Sequence, residues 1–153
     1  MTRNFLPISI DISESKILII GGGRRALKKI RILQRFGANI EVLAENIIDE
    51  VYATDVVCLR KKYDKSDLKG YLMLYSCTNN EMLDRQIAWE GREAGVLVNI
   101  HDNPSLCQFV SPAIYQDGNI TVAVGSNSEN VTESIRLRNL IQEFFKNLKY
   151  NIA

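Results

Sequence analysis

The residues best suited by type and spacing to do chemistry are Gly21, Gly22, Gly23 and Ala26, in the run KILIIGGGRRALKKIRILQRFG from Lys16 to Gly37. Read as Gly21-x-Gly23-x-x-Ala26, they match the fingerprint that cradles a dinucleotide pyrophosphate. Its first glycine permits a tight turn, its second lets phosphates approach the backbone, and a small third residue lets helix and strand pack closely. Arg24, Arg25, Lys28, Lys29, Arg31 and Arg35 then load the following segment with positive charge and no acid. The first four lie near the end where a helix macrodipole is already positive. A bound anion would relieve that arrangement; a solvated basic face is the plainer alternative. Further along stand Thr78-Asn79-Asn80 and His101-Asp102-Asn103-Pro104. A carboxylate such as Asp102 at the edge of a cofactor site suits proton transfer or a substrate contact, although an Asp before Asn-Pro is also a common turn or cap residue. Asn79 and Asn80 equally suit capping of the next helix, and His101 alone suits a structural or exposed position.

For these residues to meet, strands and helices must alternate. Ile17 to Ile20 read as a buried strand running into the glycines, and Arg24 to Phe36 as a helix with Ala26, Ile30 and Leu33 on one face, closed by Gly37. Asn39 to Ala44 reads as a second parallel strand, where an acidic residue would hold an adenosine ribose. Glu41 comes early in it and Glu45 just beyond its end, so that contact stays open, and the lack of an arginine directly after the strand leans towards NAD. Ile47 to Ala53 suggests a short helix, Val56 to Leu59 a third strand, Tyr71 to Cys77 a fourth and Val96 to Ile100 a fifth, with a helix from Met82 to Ala94 between the last two. Phe109 to Tyr115, the turn Gln116-Asp117-Gly118-Asn119 and Ile120 to Val124 read as a hairpin. A last helix from Thr132 to about Leu148 carries Ile135, Leu137, Leu140, Ile141, Phe144, Phe145 and Leu148, more apolar surface than an unpartnered helix should show. At the start, Phe5 to Ile12 alternates as a strand or extended leader would. The expected architecture is α/β: a Rossmann-like parallel sheet over residues 1–115 and a C-terminal hairpin and helix over 116–153 that serve dimerisation.

Composition narrows the class. A chain of 153 residues can bury a substantial core, and 19 basic against 18 acidic side chains point to neither nucleic acid nor membrane as partner. Three widely spaced cysteines, Cys58, Cys77 and Cys107, and one histidine form no zinc-type cluster. No metal site is expected, and reduced thiols fit a cytoplasmic protein. The N-terminal segment, with Asp11 and Glu14, has no apolar core of signal-peptide type, and no stretch has the apolar length to span a bilayer.

The ordered blocks FLPISIDI, GGGRRALKK, YDKSDLKGY, YSCTNN, NIHDNPSLCQFVSPAI and ITVAVGS, covering most of Phe5 to Ser126, resemble the precorrin-2 dehydrogenase family, the NAD-dependent enzymes of siroheme synthesis that include the N-terminal module of siroheme synthase. The resemblance implies oxidation of precorrin-2 to sirohydrochlorin with reduction of NAD, and in some relatives insertion of ferrous iron. It implies that Asp102 holds the catalytic carboxylate position, that Gly21, Gly22, Gly23, Arg24, Arg25 and Ala26 bind the cofactor with Thr78 on the nicotinamide side, and that Ser126 and His101 face the tetrapyrrole substrate. It also implies a homodimer. Where members carry a glycine-rich loop with Ser-Pro, this chain has Asn127-Ser128-Glu129-Asn130-Val131, and members commonly continue into a further helical region. Those departures raise the alternative of a non-catalytic or partner-dependent NAD-binding accessory module.

Overall fold

Ile17, Leu18, Ile19 and Ile20 are all buried in the computed structural model, which describes residues 3–152. Their strand, β1 (Lys16–Gly22), lies in the middle of a five-stranded sheet and is covered on both faces, the situation that selects continuous aliphatic runs over alternation. The sheet also holds β2 (Asn39–Ile47), β3 (Val57–Arg60), β4 (Tyr71–Ser76) and β5 (Leu97–Ile100), in the order β3-β2-β1-β4-β5 and all parallel. The order reverses at β1, so the C-terminal ends of β1 and its neighbours form the crevice in which such sheets bind ligands.

The helices follow from the apolar spacing. In α1 (Arg24–Gln34), Ala26, Leu27, Ile30 and Leu33 are buried against the sheet, and Gly37 takes a φ of +67° just past its end. In α3 (Glu81–Glu93), Ile87, Ala88 and Gly91 are buried; a Cβ on Gly91 would lie 2.6 Å from a methyl of Val98, so the close helix–strand approach needs a glycine there. The second helix, α2 (Asp49–Tyr52), is one turn, shorter than the expected Ile47 to Ala53. The reason is that β2 runs three residues past Ala44: after an irregularity in β1, Ile47 still pairs with Gly22. Phe5 to Ile12 enters neither sheet, so of the two readings offered for it the extended one describes it.

Two compact units divide the chain, Ser9–Phe109 and Met1–Ile8 with Val110–Ala153. The second contains a hairpin of β6 (Ala113–Asp117) and β7 (Ile120–Val124) and the helix α4 (Val131–Ile152). The expected boundary at 115/116 falls inside β6, whose pairing with β7 keeps both strands in one unit. Within this unit Phe145 packs on Tyr115 with ring centroids 5.8 Å apart, and Arg138 donates to the carbonyl of Ile114 at 3.0 Å, which fixes the inner face of α4 on the hairpin.

Candidate functional site

The three glycines of the turn serve different ends. Gly21 has a φ of +119°, and a Cβ on it would sit 2.5 Å from the carbonyl oxygen of Cys77; a Cβ on Gly22 would sit 2.4 Å from the carbonyl oxygen of Asn46. Both are required by the close meeting of β1 with its neighbours. A Cβ on Gly23 would meet nothing within 4 Å. Gly23 is also the N-terminal cap of α1, no side chain caps that end, and no acid stands in its first turn. The backbone there is open, and its first N–H groups lack a side-chain acceptor, while Arg24 and Arg25 lie exposed beside it. A pyrophosphate fits this cradle: it would supply the acceptors and the negative charge that the helix end lacks.

At the neighbouring strand ends, hydrogen bonds from Cys77 N to Ile20 O at 2.7 Å and from His101 N to Ser76 O at 2.9 Å carry the lacing of the sheet one residue past β4 and β5. Thr78 is half-buried and its hydroxyl donates to Asp84 at 2.8 Å; Ser76 donates to the same oxygen at 2.6 Å. Asn80 caps α3 by accepting from Leu83 N–H, so of the two polar residues after Thr78 this one has a structural task. Asp84, which holds the β4 loop in place, drew no attention in the sequence because its partners are contributed by the preceding strand end.

Asp102 stands at the tip of the β5 loop in the left-handed region, φ +58°, and is well exposed. One oxygen, Oδ2, lies 3.3 Å from the Arg25 guanidinium and 3.4 Å from His101 Nε2. The structure thus brings together the start of α1, His101 and Asp102. Burial holds the His101 pKa below its usual value, and Arg25, Lys29 and Lys28 act in the same direction against the opposing pull of Asp102; the imidazole is neutral at pH 7 and its ring nitrogen can share a proton with the carboxylate. Much of the surrounding block is a clamp: Asn99 donates to Phe109 O at 2.9 Å, Gln108 and Val98 bond reciprocally, and the Cys107 sulfur accepts from Ile100 N–H at 3.2 Å. Nearby, the Lys29 ammonium sits 4.5 Å from the centre of the Tyr75 ring, and burial pushes the Cys77 thiol up to about 11, which removes it as a nucleophile near neutral pH.

On the other side of the glycine turn lies a cleft of about 430 Å³ between Gly22 and Gly23 and the segment from Asn46 at the end of β2 to Asp49 at the start of α2, closed by Tyr52 and Arg60. Neither glutamate weighed for the ribose contact lines it. Glu41 is engaged by Lys16 at 2.6 Å and by the Tyr71 hydroxyl, and Glu45 offers its backbone carbonyl to Arg60. Asn46, Asp49 and Arg60 line it instead. The extra length of β2 was the missing signal for Asn46. Arg60 arrives from β3, where it pairs with Ala44.

Ser126 belongs to the other unit. Its hydroxyl accepts from Asn130 N–H and from the Ser134 hydroxyl, both at 3.0 Å, and so secures the start of α4. Among the described residues no helix is long and apolar enough to cross a membrane, and no three His, Cys, Asp or Glu side chains gather as metal ligands.

A central parallel strand, a glycine turn and an open helix N-terminus at the point where strand order reverses define a dinucleotide-binding domain of the Rossmann type. The family described as "Putative NAD(P)-binding" matches residues 8–113, and the chain belongs to it. The siroheme synthase of Ectopseudomonas mendocina (strain ymp) is 37% identical over 128 residues, which cover 82% of this chain and 28% of that one. The siroheme synthase of Nitrosomonas europaea is 29% identical over 144 residues, covering 91% of this chain and 30% of that protein. The chain thus spans 28–30% of the length of these relatives. Among solved structures, one titled "SirC, precorrin-2 dehydrogenase" shares the fold with a TM-score of 0.72 at 20% identity, covering 91% of this chain and 70% of that one.

Proposed function

We propose that this chain catalyses the NAD-dependent oxidation of precorrin-2 to sirohydrochlorin, with Asp102 as the base. The observation that carries the reading is the placement of Asp102 at the tip of the β5 loop, within ion-pair distance of Arg25 in the first turn of α1. NAD, when bound, supplies the hydride acceptor. Gly21, Gly22 and Gly23 hold the backbone so that the start of α1, with Arg24 and Arg25, binds the pyrophosphate, and Ala26 lets α1 lie close on β1. Thr78, fixed by Asp84, lines the nicotinamide side. Removing a hydride from the partly reduced macrocycle requires that a proton leave as well; Asp102 accepts it and His101, neutral at pH 7, passes it on. The similarity to siroheme synthases and to a precorrin-2 dehydrogenase supports the substrate class. Three free cysteines suit a reducing, cytoplasmic setting, and the exposed apolar side of α4 supports a homodimer.

A non-catalytic accessory module is the second reading, favoured by Ser126: its hydroxyl is spent on the α4 cap, whereas the first reading wants it at the substrate. Anaerobic incubation of the protein with precorrin-2 and NAD decides between them. Appearance of NADH and of the sirohydrochlorin spectrum, both lost in Asp102→Ala while NAD still binds, is the expected result. Turnover retained in Asp102→Ala would remove the catalytic assignment, and NAD binding without any turnover in the unmodified chain would favour the accessory module.

A further inference from the structure

Six cations stand between Arg24 and Arg35, and the dehydrogenase reading gives a task to two of them, Arg24 and Arg25. Lys28 and Lys29 follow Arg25 at the third and fourth positions, which puts the three side chains on one face of α1. That face meets the β5 loop: Arg25 lies 3.3 Å from Asp102, the charges of Arg25, Lys29 and Lys28 all act on His101, and the Lys29 ammonium lies 4.5 Å from the centre of the Tyr75 ring. Lys29 is half-buried, and burial lowers its pKa against the opposing pull of Cys77 and Cys107. Lys28 is exposed, with no carboxylate within ion-pair distance among the described residues. The carboxylates near this face are committed elsewhere, Asp102 to Arg25 and His101, and Asp84 to the hydroxyls of Ser76 and Thr78. A pyrophosphate at the helix start would engage Arg24 and Arg25, whereas Lys28 and Lys29 lie roughly 6 Å further along the axis. Cations at this spacing repel one another near the positive end of the helix dipole, so the face as a whole is short of negative charge.

We propose that Lys28 and Lys29 bind carboxylate arms of the tetrapyrrole substrate and so decide which edge of the macrocycle meets Asp102. The inference rests on the dehydrogenase reading and names substrate-binding residues of that same site. A tetrapyrrole of this class carries acetate and propionate arms, ionised at pH 7, around an otherwise apolar ring, so the arms are its charged handles. The same arms set it against a carboxylate base, because Asp102 repels a polyanion. Lys28 and Lys29, one turn along α1 from Arg25, offset that repulsion where the ring must approach. The exposed Lys28 can follow an arm that rotates, while Lys29, packed over Tyr75, supplies a fixed charge.

Fluorescence titration of the full chain with uroporphyrin, a stable porphyrin bearing acetate and propionate arms, tests this without NAD or turnover. Lys28→Gln should weaken binding roughly two- to fivefold, and Lys28→Gln with Lys29→Gln at least about tenfold. Added salt should weaken binding by the parent more steeply than by the pair variant. Arg35→Gln makes the same change of charge roughly 10 Å beyond Lys28 along α1 and should cost less than about twofold. Titration of each variant with ADP-ribose reports whether the fold is intact. A parent that does not bind uroporphyrin, a pair variant that binds it as the parent does, or an equal loss in Arg35→Gln would overturn the assignment of the two lysines. With precorrin-2 and NAD, the pair variant should show a raised KM for precorrin-2 and an unaltered KM for NAD. Turnover with both KM values unaltered would overturn the lysine assignment and leave the dehydrogenase reading standing. Absence of turnover in the parent would overturn the dehydrogenase reading, and the uroporphyrin titration judges the two lysines separately.

Discussion

Asp102 is the proposed base, and its surroundings would tie dinucleotide binding to its availability. The same Arg25 that stands ready for a pyrophosphate at the start of α1 lies 3.3 Å from the Asp102 carboxylate, and both side chains are substantially exposed. An exposed ion pair of this kind stabilises by about 0.2–1 kcal/mol. Drawing Arg25 onto a phosphate would therefore cost about that much, and would free the carboxylate for the proposed role of base. Asp102→Asn, which keeps a residue tolerant of the left-handed region, should raise the affinity for ADP-ribose roughly 1.4- to 5-fold, and the rise should vanish in an Arg25→Ala background. ADP-ribose is the suitable probe because it has the pyrophosphate and lacks the nicotinamide that Asp102 itself would face. Calorimetric titration of the four proteins of this cycle gives the answer; an equal rise in both backgrounds would mean that Asp102 acts on the ligand directly and not through Arg25. Both partners were visible in the sequence, one in the glycine turn and one in the His-Asp-Asn-Pro run. Their pairing was not, because 77 positions of chain separate them and only the parallel sheet, with β4 between, brings the ends of β1 and β5 to the same edge.

At the scale of elements, the strand–glycine turn–helix unit was legible because each signal is local: a doubly buried strand, a turn that needs positive φ, a basic helix with one apolar face. The end of β2 was less so. Glu45 and Asn46 look like loop residues, and the continued pairing of Ile47 with Gly22 follows from an irregularity in the neighbouring strand that no local pattern announces. Arg60 and Asp84 escaped for the same reason, since their partners lie on other elements. The glycines themselves separate fold from function. Gly21→Ala puts a Cβ 2.5 Å from a backbone oxygen at a φ of +119°, and should cost roughly 2–6 kcal/mol in strain and overpacking. Gly23 has a φ of −96° and open space around its Cα. Gly23→Ala should leave stability unchanged or raise it by up to about 1 kcal/mol through the unfolded state, yet weaken NAD binding by about tenfold or more as the new methyl fills the phosphate approach. Urea unfolding beside NAD titration separates the two. A Gly23→Ala protein that binds NAD as well as the parent would show that the pyrophosphate lies elsewhere.

For the whole molecule the open question is what covers α4. Its inner side is settled by contacts within its own unit, through Ser134, Arg138 and Phe145. The other side exposes Leu137, Leu140, Phe144 and Leu148, spaced three or four residues apart so that they form one stripe along the helix, with Val131 and Ile135 alongside. Single exposed leucines are ordinary, but a continuous stripe that includes a phenylalanine 61% exposed is not a surface that a lone chain keeps in water without consequence. A second copy of the chain offers the same stripe, and a two-fold arrangement buries each against the other. The unmodified protein should therefore run in light scattering at twice the chain's 17.4 kDa. The pair Leu140→Glu and Phe144→Glu puts charges on the stripe while leaving the inner face of α4 intact, and should return the mass to one chain with NAD affinity changed by less than about twofold, since the glycine turn and its partners belong to the other compact unit. A dimer that survives both glutamates would place the subunit contact on another surface. A monomer that also loses NAD would mean that the dinucleotide site depends on the second copy, and the two functions assigned to separate units would have to be joined.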